Sequence, residues 1–218
     1  MIIITGASDG LGLQLAKLYK EAGKKVINIS RRKSEFSTSD IICDLSDESQ
    51  IKKATDEILN VDEKLEAIIN CAGVLSVQKL GEISGGEFDR LMSVNVKAAI
   101  LLVSNLIEKI KKDEADIVNV SSTVGLKGYI DQAVYGASKW AMRGFSANLQ
   151  TELKGSKSRV ISFCPGGFKT KLFKKATGVD NTEDGSQWMR AEDVAIALKQ
   201  ALDLPKNMEV GEIVINRK

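Results

Sequence analysis

Residues 1–12 read MIIITGASDGLG, in which a short apolar run passes directly into a turn containing three glycines. Glycine permits a tight turn and lets the backbone come close to an anion. A helix that begins within such a turn presents unpaired N–H groups and the positive end of its dipole, the setting in which a pyrophosphate binds. Because the turn follows the first strand, it predicts a nucleotide site. A glycine turn required for steric reasons alone is the alternative.

Outward from this turn, short β-rich runs alternate with amphipathic helical stretches. The strand runs are 1–5, 25–30, 40–45, 66–70, 116–121, 159–164 and 212–216. They are apolar along their length rather than alternating, which is typical of parallel strands covered on both faces. Strands that alternate with helices predict right-handed crossovers and therefore an α/β fold with a parallel, doubly wound sheet. Since no repeat and no proline-rich linker interrupts the pattern, we expect a single domain over residues 1–218.

The composition excludes several classes of function. Of the 218 residues 43% are hydrophobic, enough for a substantial core, and 31 Lys and Arg balance 29 Asp and Glu. This balance gives no reason to expect nucleic acid or a membrane as partner. The absence of histidine excludes Ser-His-Asp, Cys-His and HExxH chemistry.

The cysteines and the apolar runs indicate the compartment. Cys43, Cys71 and Cys164 form no CxxC pair, so we expect buried thiols rather than disulfides or a metal site. The longest apolar runs are shorter than the ~20 residues of a membrane span, and no basic segment followed by an apolar one marks a leader. We therefore expect a cytoplasmic protein with no membrane partner.

Two helical stretches are more apolar than one sheet contact requires. One runs from Val94 to Ile110, and the other, from Val134 to Leu153, includes Trp140. A helix with two apolar faces must bury both. The pattern therefore predicts a homodimer or homotetramer formed through the helices near residues 96–112 and 135–153. Deeply buried core helices are the alternative.

The spacing of the glycine turn is TGxxxGxG, and with five further motifs it resembles the short-chain dehydrogenase/reductase family from Ile2 to Ile215. These motifs are residues 70–73, with Cys71 in place of the second Asn of NNAG; Asn95; the strand ending at Ser122; the YxxxK of Tyr135 and Lys139; and the PGxxxT of residues 165–170. The offset of 13 residues between Ser122 and Tyr135 is usual for that family. The resemblance implies a Rossmann-type sheet of about seven strands in the order 3-2-1-4-5-6-7, with helices on both faces.

The YxxxK motif has a physical meaning on a helix, because residues i and i+4 share a face. We expect the Lys139 ammonium to lie near the Tyr135 phenol and to favour the phenolate, which suits general acid–base catalysis. A core Tyr beside a snorkelling Lys is the alternative reading of this pair. The resemblance implies that Ser122 hydrogen-bonds the substrate oxygen, that Tyr135 transfers the proton, that Lys139 also holds the nicotinamide ribose, and that Asn95 positions a water in a proton relay to Lys139. Ser121 is the adjacent alternative to Ser122, but the offset favours Ser122 and indicates that Ser121 is a polar strand end.

The charge after the second strand favours NADP(H) over NAD(H). Arg31 and Arg32 follow that strand, and no carboxylate occurs until Glu35. An acidic residue there binds a ribose 2′-OH, whereas a guanidinium grips a 2′-phosphate. Asp9 in the glycine turn counts mildly against this preference, and a solvated loop is the alternative role of the two arginines.

The resemblance extends the cofactor-binding set beyond the two arginines. It comprises Gly6, Ser8, Asp9, Gly10, Leu11, Gly12, Asp44, Leu45, Asn70, Ala72, Gly73, Tyr135, Lys139, Pro165, Gly166, Phe168 and Thr170. Asp44 is implied to bond the adenine amine, with a helix cap or turn as its alternative role. Thr170 and the backbone around Phe168 are implied to hold the nicotinamide carboxamide. No metal ligand set is expected.

The substrate would lie under residues 171–189, which cover it in this family. Phe173 and Trp188 could form an apolar wall and the lysines could meet an anionic group, but a solvated mobile lid fits equally. The sequence thus predicts an NADP(H)-dependent oxidoreductase that transfers a hydride between nicotinamide and a carbonyl or secondary alcohol of a small molecule. A non-catalytic NADP-sensing or binding protein on the same scaffold is the alternative. An acyl-carrier-protein-type reductase would perform the same chemistry on another substrate.

Overall fold

The computed structural model describes residues 1–182 and 187–218, and a parallel sheet runs through the middle of the protein. Its strands are β1 (Ile2–Thr5), β2 (Val26–Ser30), β3 (Ser39–Ile42), β4 (Ala67–Asn70), β5 (Asp116–Val120), β6 (Val160–Pro165) and β7 (Glu212–Ile215). They lie in the order β3-β2-β1-β4-β5-β6-β7, and every neighbouring pair is parallel. The predicted fold class and strand order are confirmed.

Helices follow most of the strands. They are α1 (Gly10–Glu21), α2 (Glu48–Leu59), α3 (Gly85–Met92), α4 (Ala98–Asp113), α5 (Ala133–Glu152), α6 (Lys171–Thr177) and α7 (Ala191–Leu202). A π-helical turn at Ser93–Lys97 joins α3 to α4, and short 3-10 turns lie at Leu80–Glu82 and Thr123–Gly125.

Both faces of the sheet are covered, which explains the unbroken apolar character of the strands. Ile3 and Ile68 belong to the core shared with α2, α4 and α5, whereas Ile4 and Ile69 belong to the core shared with α1 and α7. Since successive side chains of a strand point to opposite faces, each strand must be apolar at every position to serve both cores.

Strand β3 ends earlier than its sequence predicts, at Ile42 rather than Leu45. The Asp44 carboxylate accepts hydrogen bonds from the backbone N–H and the hydroxyl of Ser46, at 2.9 and 2.7 Å. This local turn competes with further strand pairing and directs the chain into α2.

The helix that contains the first apolar stretch is longer than the sequence analysis indicates. Helix, π-helical turn and helix run without a break over Gly85–Asp113, 29 residues whose most apolar window has a mean hydropathy of 1.5. By length and composition alone this run could cross a membrane. This was missed in the sequence analysis, which considered only uninterrupted apolar runs. This length and hydropathy are weak evidence for a membrane span, because the core helix of a soluble protein can have the same length and hydropathy. In addition, Leu102, Leu106 and Ile110 lie fully buried against the sheet.

The second apolar stretch, α5, has one buried face and one exposed face. Met142 and Leu149 are buried, while the Trp140 side chain is 51% exposed. On α4, Ile100 is 36% exposed. The two helices therefore combine a core role with some uncovered apolar surface.

Candidate active site

The glycine turn has the backbone geometry of an anion cradle. Gly6 and Gly10 have φ of +72° and +53°, which side chains rarely allow. A Cβ on Gly12 would lie 2.5 Å from the Gly6 carbonyl oxygen, so this close approach also requires glycine. Asp9 caps α1 by accepting a hydrogen bond from the Gly10 N–H at 2.9 Å. The N-terminus of α1 therefore faces the open cleft.

A cleft of about 690 Å³ lies along the carboxyl ends of the strands, where ligands of such sheets bind. This volume falls within the roughly 300–1,000 Å³ of small-molecule sites. Of the residues implied to bind cofactor, the cleft is lined by Gly6, Ser8, Asp9, Gly10, Leu11, Gly12, Arg31, Arg32, Asp44, Leu45, Ala72, Gly73, Tyr135, Lys139, Pro165, Gly166, Phe168 and Thr170. The cradle, the positive side chains and the cleft fit a dinucleotide.

Asn70 and Asn95 lie beneath the cleft rather than on its wall. Both border a separate cavity of about 10 Å³, about the size of one water molecule. The Asn70 side chain donates to Asn119 Oδ1 at 2.8 Å, and among the described residues its own Oδ1 has no hydrogen-bond partner. Asn70 thus ties β4 to β5 instead of presenting its side chain to the cleft.

Ser122, Tyr135 and Lys139 meet on the cleft wall. The side chains of Ser122 and Tyr135 are hydrogen-bonded, and Lys139 Nζ lies 5.6 Å from the centre of the Tyr135 ring. Lys139 Nζ also donates to the Val120 carbonyl at 2.9 Å. The i, i+4 spacing on α5 places both side chains on one face of the helix, as expected.

The protonation of this group differs from the expectation. Burial raises the pKa of Tyr135 to about 12, although its hydrogen bond with Ser122 acts in the opposite direction. Burial lowers the pKa of Lys139 to about 8. The expected bias toward phenolate is wrong because removal of the phenol from water raises the pKa more than the hydrogen bond with Ser122 lowers it. The Tyr135 phenol therefore keeps its proton at neutral pH.

Asn95 is held rigidly by backbone and side-chain partners. It lies in the π-helical turn, a local structure frequent at functional sites. Its amide bonds both the N–H and the carbonyl of Val74, at 2.7 and 2.9 Å, and donates to Ser138 Oγ at 3.0 Å. The Ser138 hydroxyl in turn donates to the Tyr135 carbonyl at 2.7 Å. A Cβ on Gly73 would contact Asn95 Oδ1 at 3.4 Å and Lys139 Nζ at 3.6 Å, so these two polar groups flank the same point.

The loop after β5 is fastened to α5. The Ser121 hydroxyl donates to the Lys139 carbonyl at 2.8 Å, which makes Ser121 a helix anchor rather than only a strand end. A Cβ on Gly125 would lie 2.7 Å from Ser121 Oγ and 2.8 Å from the Lys139 oxygen. Arg143 donates to the Gly125 carbonyl at 2.9 Å. Ser122 and Lys139 are therefore fixed relative to each other.

Asp9 forms a charge cluster at the mouth of the cleft. Its Oδ2 lies 3.0 Å from Lys175 Nζ on α6 and 3.5 Å from an Arg32 nitrogen. Burial acts to raise the pKa of Asp9, but the hydrogen bond and charge of Lys175, the Gly10 N–H and the Lys171 charge together hold the pKa below its usual value. The cluster contains two cations and one anion, so the acidic residue that counted against NADP(H) is compensated.

Asp44 and Arg31 also line the cleft. Both hydrogen bonds to Ser46, and then the Arg31 charge, hold the pKa of Asp44 below its usual range despite some burial. The turn role that the sequence left open for Asp44 is thus present, while the residue also lines the cleft.

The segment after β6 covers the cleft in part. Thr170 caps α6 by accepting from the Leu172 N–H at 3.3 Å, and its methyl carbon would contact a Cβ on Gly10 at 3.1 Å. The Phe173 and Trp188 rings lie 4.9 Å apart, as the aromatic wall requires. Residues 183–186 of the covering segment 171–189 lie outside the described residues.

Sequence reasoning missed several residues of this site. Gly125 and Lys175 lie outside the family motifs, and Ser138 occupies an unspecified position of the YxxxK motif; each acts through a partner distant in sequence. Ser138 offered a signal, since a serine on the buried face of a helix needs a hydrogen-bond partner. Cys71 was expected in the core, but it is half-buried and lines the cleft.

Comparisons with known proteins agree with this geometry. A family model described as short chain dehydrogenase matches residues 1–180. An uncharacterized oxidoreductase of Thermotoga maritima is 34% identical over 200 residues, 84% of this chain and 78% of that protein. A serine dehydrogenase complexed with NADP+ superposes with a TM-score of 0.89 at 23% identity, covering 99% of this chain and 94% of its own. A 3-ketoacyl-(acyl-carrier-protein) reductase of Brucella melitensis complexed with NADH gives a TM-score of 0.86 at 25% identity, covering 99% and 95%.

Proposed function

This chain belongs to the short-chain dehydrogenase family and is an oxidoreductase that acts on CH–OH and C=O groups with a nicotinamide cofactor, and we propose that Tyr135 is its general acid and base and NADP(H) its cofactor. The observation that carries the proposal is the meeting of Ser122, Tyr135 and Lys139 on one wall of the cleft, with Asn95 directly behind. A sensor or binding protein would have no need of this arrangement.

Side chains of this protein transfer the proton to the substrate oxygen. Ser122 donates a hydrogen bond to the substrate carbonyl oxygen and keeps it beside the Tyr135 hydroxyl. Because the pKa of Tyr135 is raised to about 12, the phenol holds its proton at neutral pH and gives it to that oxygen during reduction. Nicotinamide, when bound, supplies the hydride to the carbonyl carbon. Lys139 stabilises the phenolate that remains, and Asn95 holds the path by which a water restores the proton.

The preference for NADP(H) is supported by charge at the adenosine end. Arg31 and Arg32 line the cleft there, and Asp9 is offset by Lys175. A guanidinium can bind a 2′-phosphate through two hydrogen bonds, whereas NAD(H) gains little from it. Replacing both arginines with alanine should weaken NADPH much more than NADH in calorimetric titrations. Equal losses would place the 2′-phosphate elsewhere.

The exposed apolar groups of α4 and α5 support a homodimer or homotetramer through residues 96–112 and 135–153. Trp140 is the most prominent of them. Changing Trp140 to Glu should lower the mass measured by light scattering after size-exclusion chromatography. An unchanged mass would move the interface away from α5.

Two further assignments follow from the whole chain. One sheet takes its strands from the first residues to Ile215, which supports a single domain over residues 1–218. The free thiols of Cys43, Cys71 and Cys164 suit a reducing cytoplasm.

The test of the proposed acid is Tyr135→Phe, which removes the hydroxyl and keeps the ring. We expect carbonyl reduction to fall by at least ~1,000-fold, within the range found when a catalytic group is removed, while NADPH still binds. Tyr129→Phe, at another tyrosine of the cleft, is the matched control and should retain its rate. Substantial turnover by the Tyr135 variant would refute the assignment.

A further inference from the structure

An aromatic platform stands beside the loop that follows β6. Trp188 packs against Phe173 with ring centres 4.9 Å apart. A Cβ on Gly167 would lie 2.9 Å from two carbons of the Trp188 ring, so the ring can lie there only because residue 167 is glycine. Backbone bonds between Gly167, Lys169 and Met189 fasten the chain next to Trp188 onto the same loop. The platform is thus held in a fixed position as part of the cleft wall.

Arg217 rests on this platform. Its guanidinium carbon lies 5.4 Å from the centre of the Trp188 ring, and Arg217 also lines the cleft. The residue follows β7, whose Ile215 carbonyl accepts from the Gly166 N–H at 2.7 Å. This places Arg217 next to the loop that we assign to the nicotinamide, at the reacting end of the cleft. Stacking on an aromatic face fixes the plane of a guanidinium and leaves its N–H edge available to a planar anion.

The described acidic side chains of the cleft follow strands other than β7 and its neighbour β6. Among residues 1–182 and 187–218, the acidic side chains that line the cleft are Asp9 and Asp44. They follow β1 and β3, which are four and six strands away from β7 in the sheet order. Arg90, the other arginine of this region, is already bonded to both oxygens of Glu87.

We propose that Arg217, stacked on Trp188, binds an anionic group of the substrate, so that the enzyme selects small carbonyl or hydroxy compounds that carry a carboxylate or a similar oxyanion. The inference rests on the proposed function, since it concerns the same cleft. It assigns Arg217 to substrate selection, and it leaves the proton transfer to Tyr135.

Matched pairs of substrates test the inference. Succinic semialdehyde and acetoacetate are each offered beside their methyl esters, which keep the carbonyl and lose the charge, and NADPH consumption is followed. We expect the wild type to prefer the acids. Arg217→Gln should raise KM for the acids about tenfold or more, which is the contribution of one charge-assisted hydrogen bond. The KM for the esters and the Kd for NADPH should not change. Arg217→Lys should restore part of the preference. Lys218→Gln removes one neighbouring positive charge outside the cleft lining and is the matched control.

The outcomes separate this inference from the proposed function. Reduction of esters and acids at equal efficiency, or an acid preference that survives Arg217→Gln, overturns the anion site and leaves the reductase standing. If NADPH binds but none of the four compounds is reduced, the proposed reduction fails for this set and a binding measurement decides the anion site. In a Trp140→Phe background Trp188 is the sole tryptophan, and its fluorescence reports succinate binding to the NADP+ complex. A saturable change that Arg217→Gln abolishes supports the site, and no change overturns it.

Discussion

The charge cluster around Asp9 yields a prediction about cofactor affinity. Lys175 from α6 lies 3.0 Å from the Asp9 carboxylate, which also approaches Arg32 at 3.5 Å. If Arg32 binds the 2′-phosphate, Asp9 lies close enough to repel that phosphate, and Lys175 offsets the repulsion. Lys175→Met removes the offset and keeps most of the apolar length of the side chain. Asp9→Asn removes the repelling charge and keeps the oxygen that caps α1, since Asn caps helices as well as Asp does.

The magnitude follows from the distances. The 3.5 Å from Asp9 to Arg32, extended by one hydrogen bond of ~3 Å, puts the phosphate about 7 Å from the carboxylate. The side chains of Lys175 and Asp9 are 58% and 28% exposed, so the dielectric constant of water is the appropriate one. One unit charge at that distance is then worth about 0.6 kcal/mol, and a phosphate dianion about 1.2 kcal/mol, a factor of about eight in Kd.

The assay is calorimetric or fluorescence titration of NADPH and NADH into the wild type, both single variants and the double variant. Lys175→Met should weaken NADPH by up to about eightfold at low ionic strength, and NADH less because it lacks the 2′-phosphate. Asp9→Asn should tighten NADPH, and in its background Lys175→Met should have a smaller effect. Both changes should shrink in 1 M salt, where the Debye length is about 3 Å. Equal effects on the two cofactors, or weaker NADPH binding by Asp9→Asn, would refute the reasoning.

Other regions of the chain yield three further predictions. Because burial lowers the pKa of Lys139 to about 8, kcat/KM for NADPH should fall as the pH rises through about 8, and a flat profile to about pH 10 would contradict this. Gly73→Ala adds a methyl group 3.4 to 3.6 Å from Asn95 and Lys139. It should leave the melting temperature nearly unchanged and lower turnover at least ~tenfold. Full activity would show that catalysis does not use the space between Asn95 and Lys139. Arg159→Met leaves Asp116 short of a partner in a pair whose side chains are only 5 to 6% exposed, and should lower the free energy of unfolding by about 3–5 kcal/mol in urea titrations. A loss under ~1 kcal/mol would mean that Lys206, 2.6 Å from Asp116, compensates alone.

The sequence predicted what depends on local pattern. Continuous apolar runs specify parallel strands, and the turn glycines specify a backbone that other residues cannot adopt. The YxxxK spacing specifies which helix face carries Tyr135 and Lys139. These features need only neighbours within a few residues, so they can be inferred before the fold is known.

Contacts between distant segments were not predictable in this way. Asp9 and Lys175 are 166 residues apart, and neither has a sequence signal that pairs it with the other. The protonation of Tyr135 was predicted in the wrong direction for a related reason. The i, i+4 neighbour is visible in the sequence, but the burial that raises the pKa comes from the assembled cleft.

Polar residues in and around helix α5 hold Tyr135 and Lys139 in position. The helix carries Tyr135 and Lys139, yet Gly136 costs about 1 kcal/mol relative to alanine and the Gln132 side chain does not cap its N-terminus. Its position is set instead by buried hydrogen bonds. The Ser121 hydroxyl donates to the Lys139 carbonyl, and the Ser138 hydroxyl donates to the Tyr135 carbonyl and accepts from the Asn95 amide. A buried hydroxyl left without its partner costs about 1–3 kcal/mol, so the Ser121 bond favours one position of the helix relative to the end of β5. Tyr135 and Lys139 therefore owe their placement in part to serines that composition alone would assign to packing.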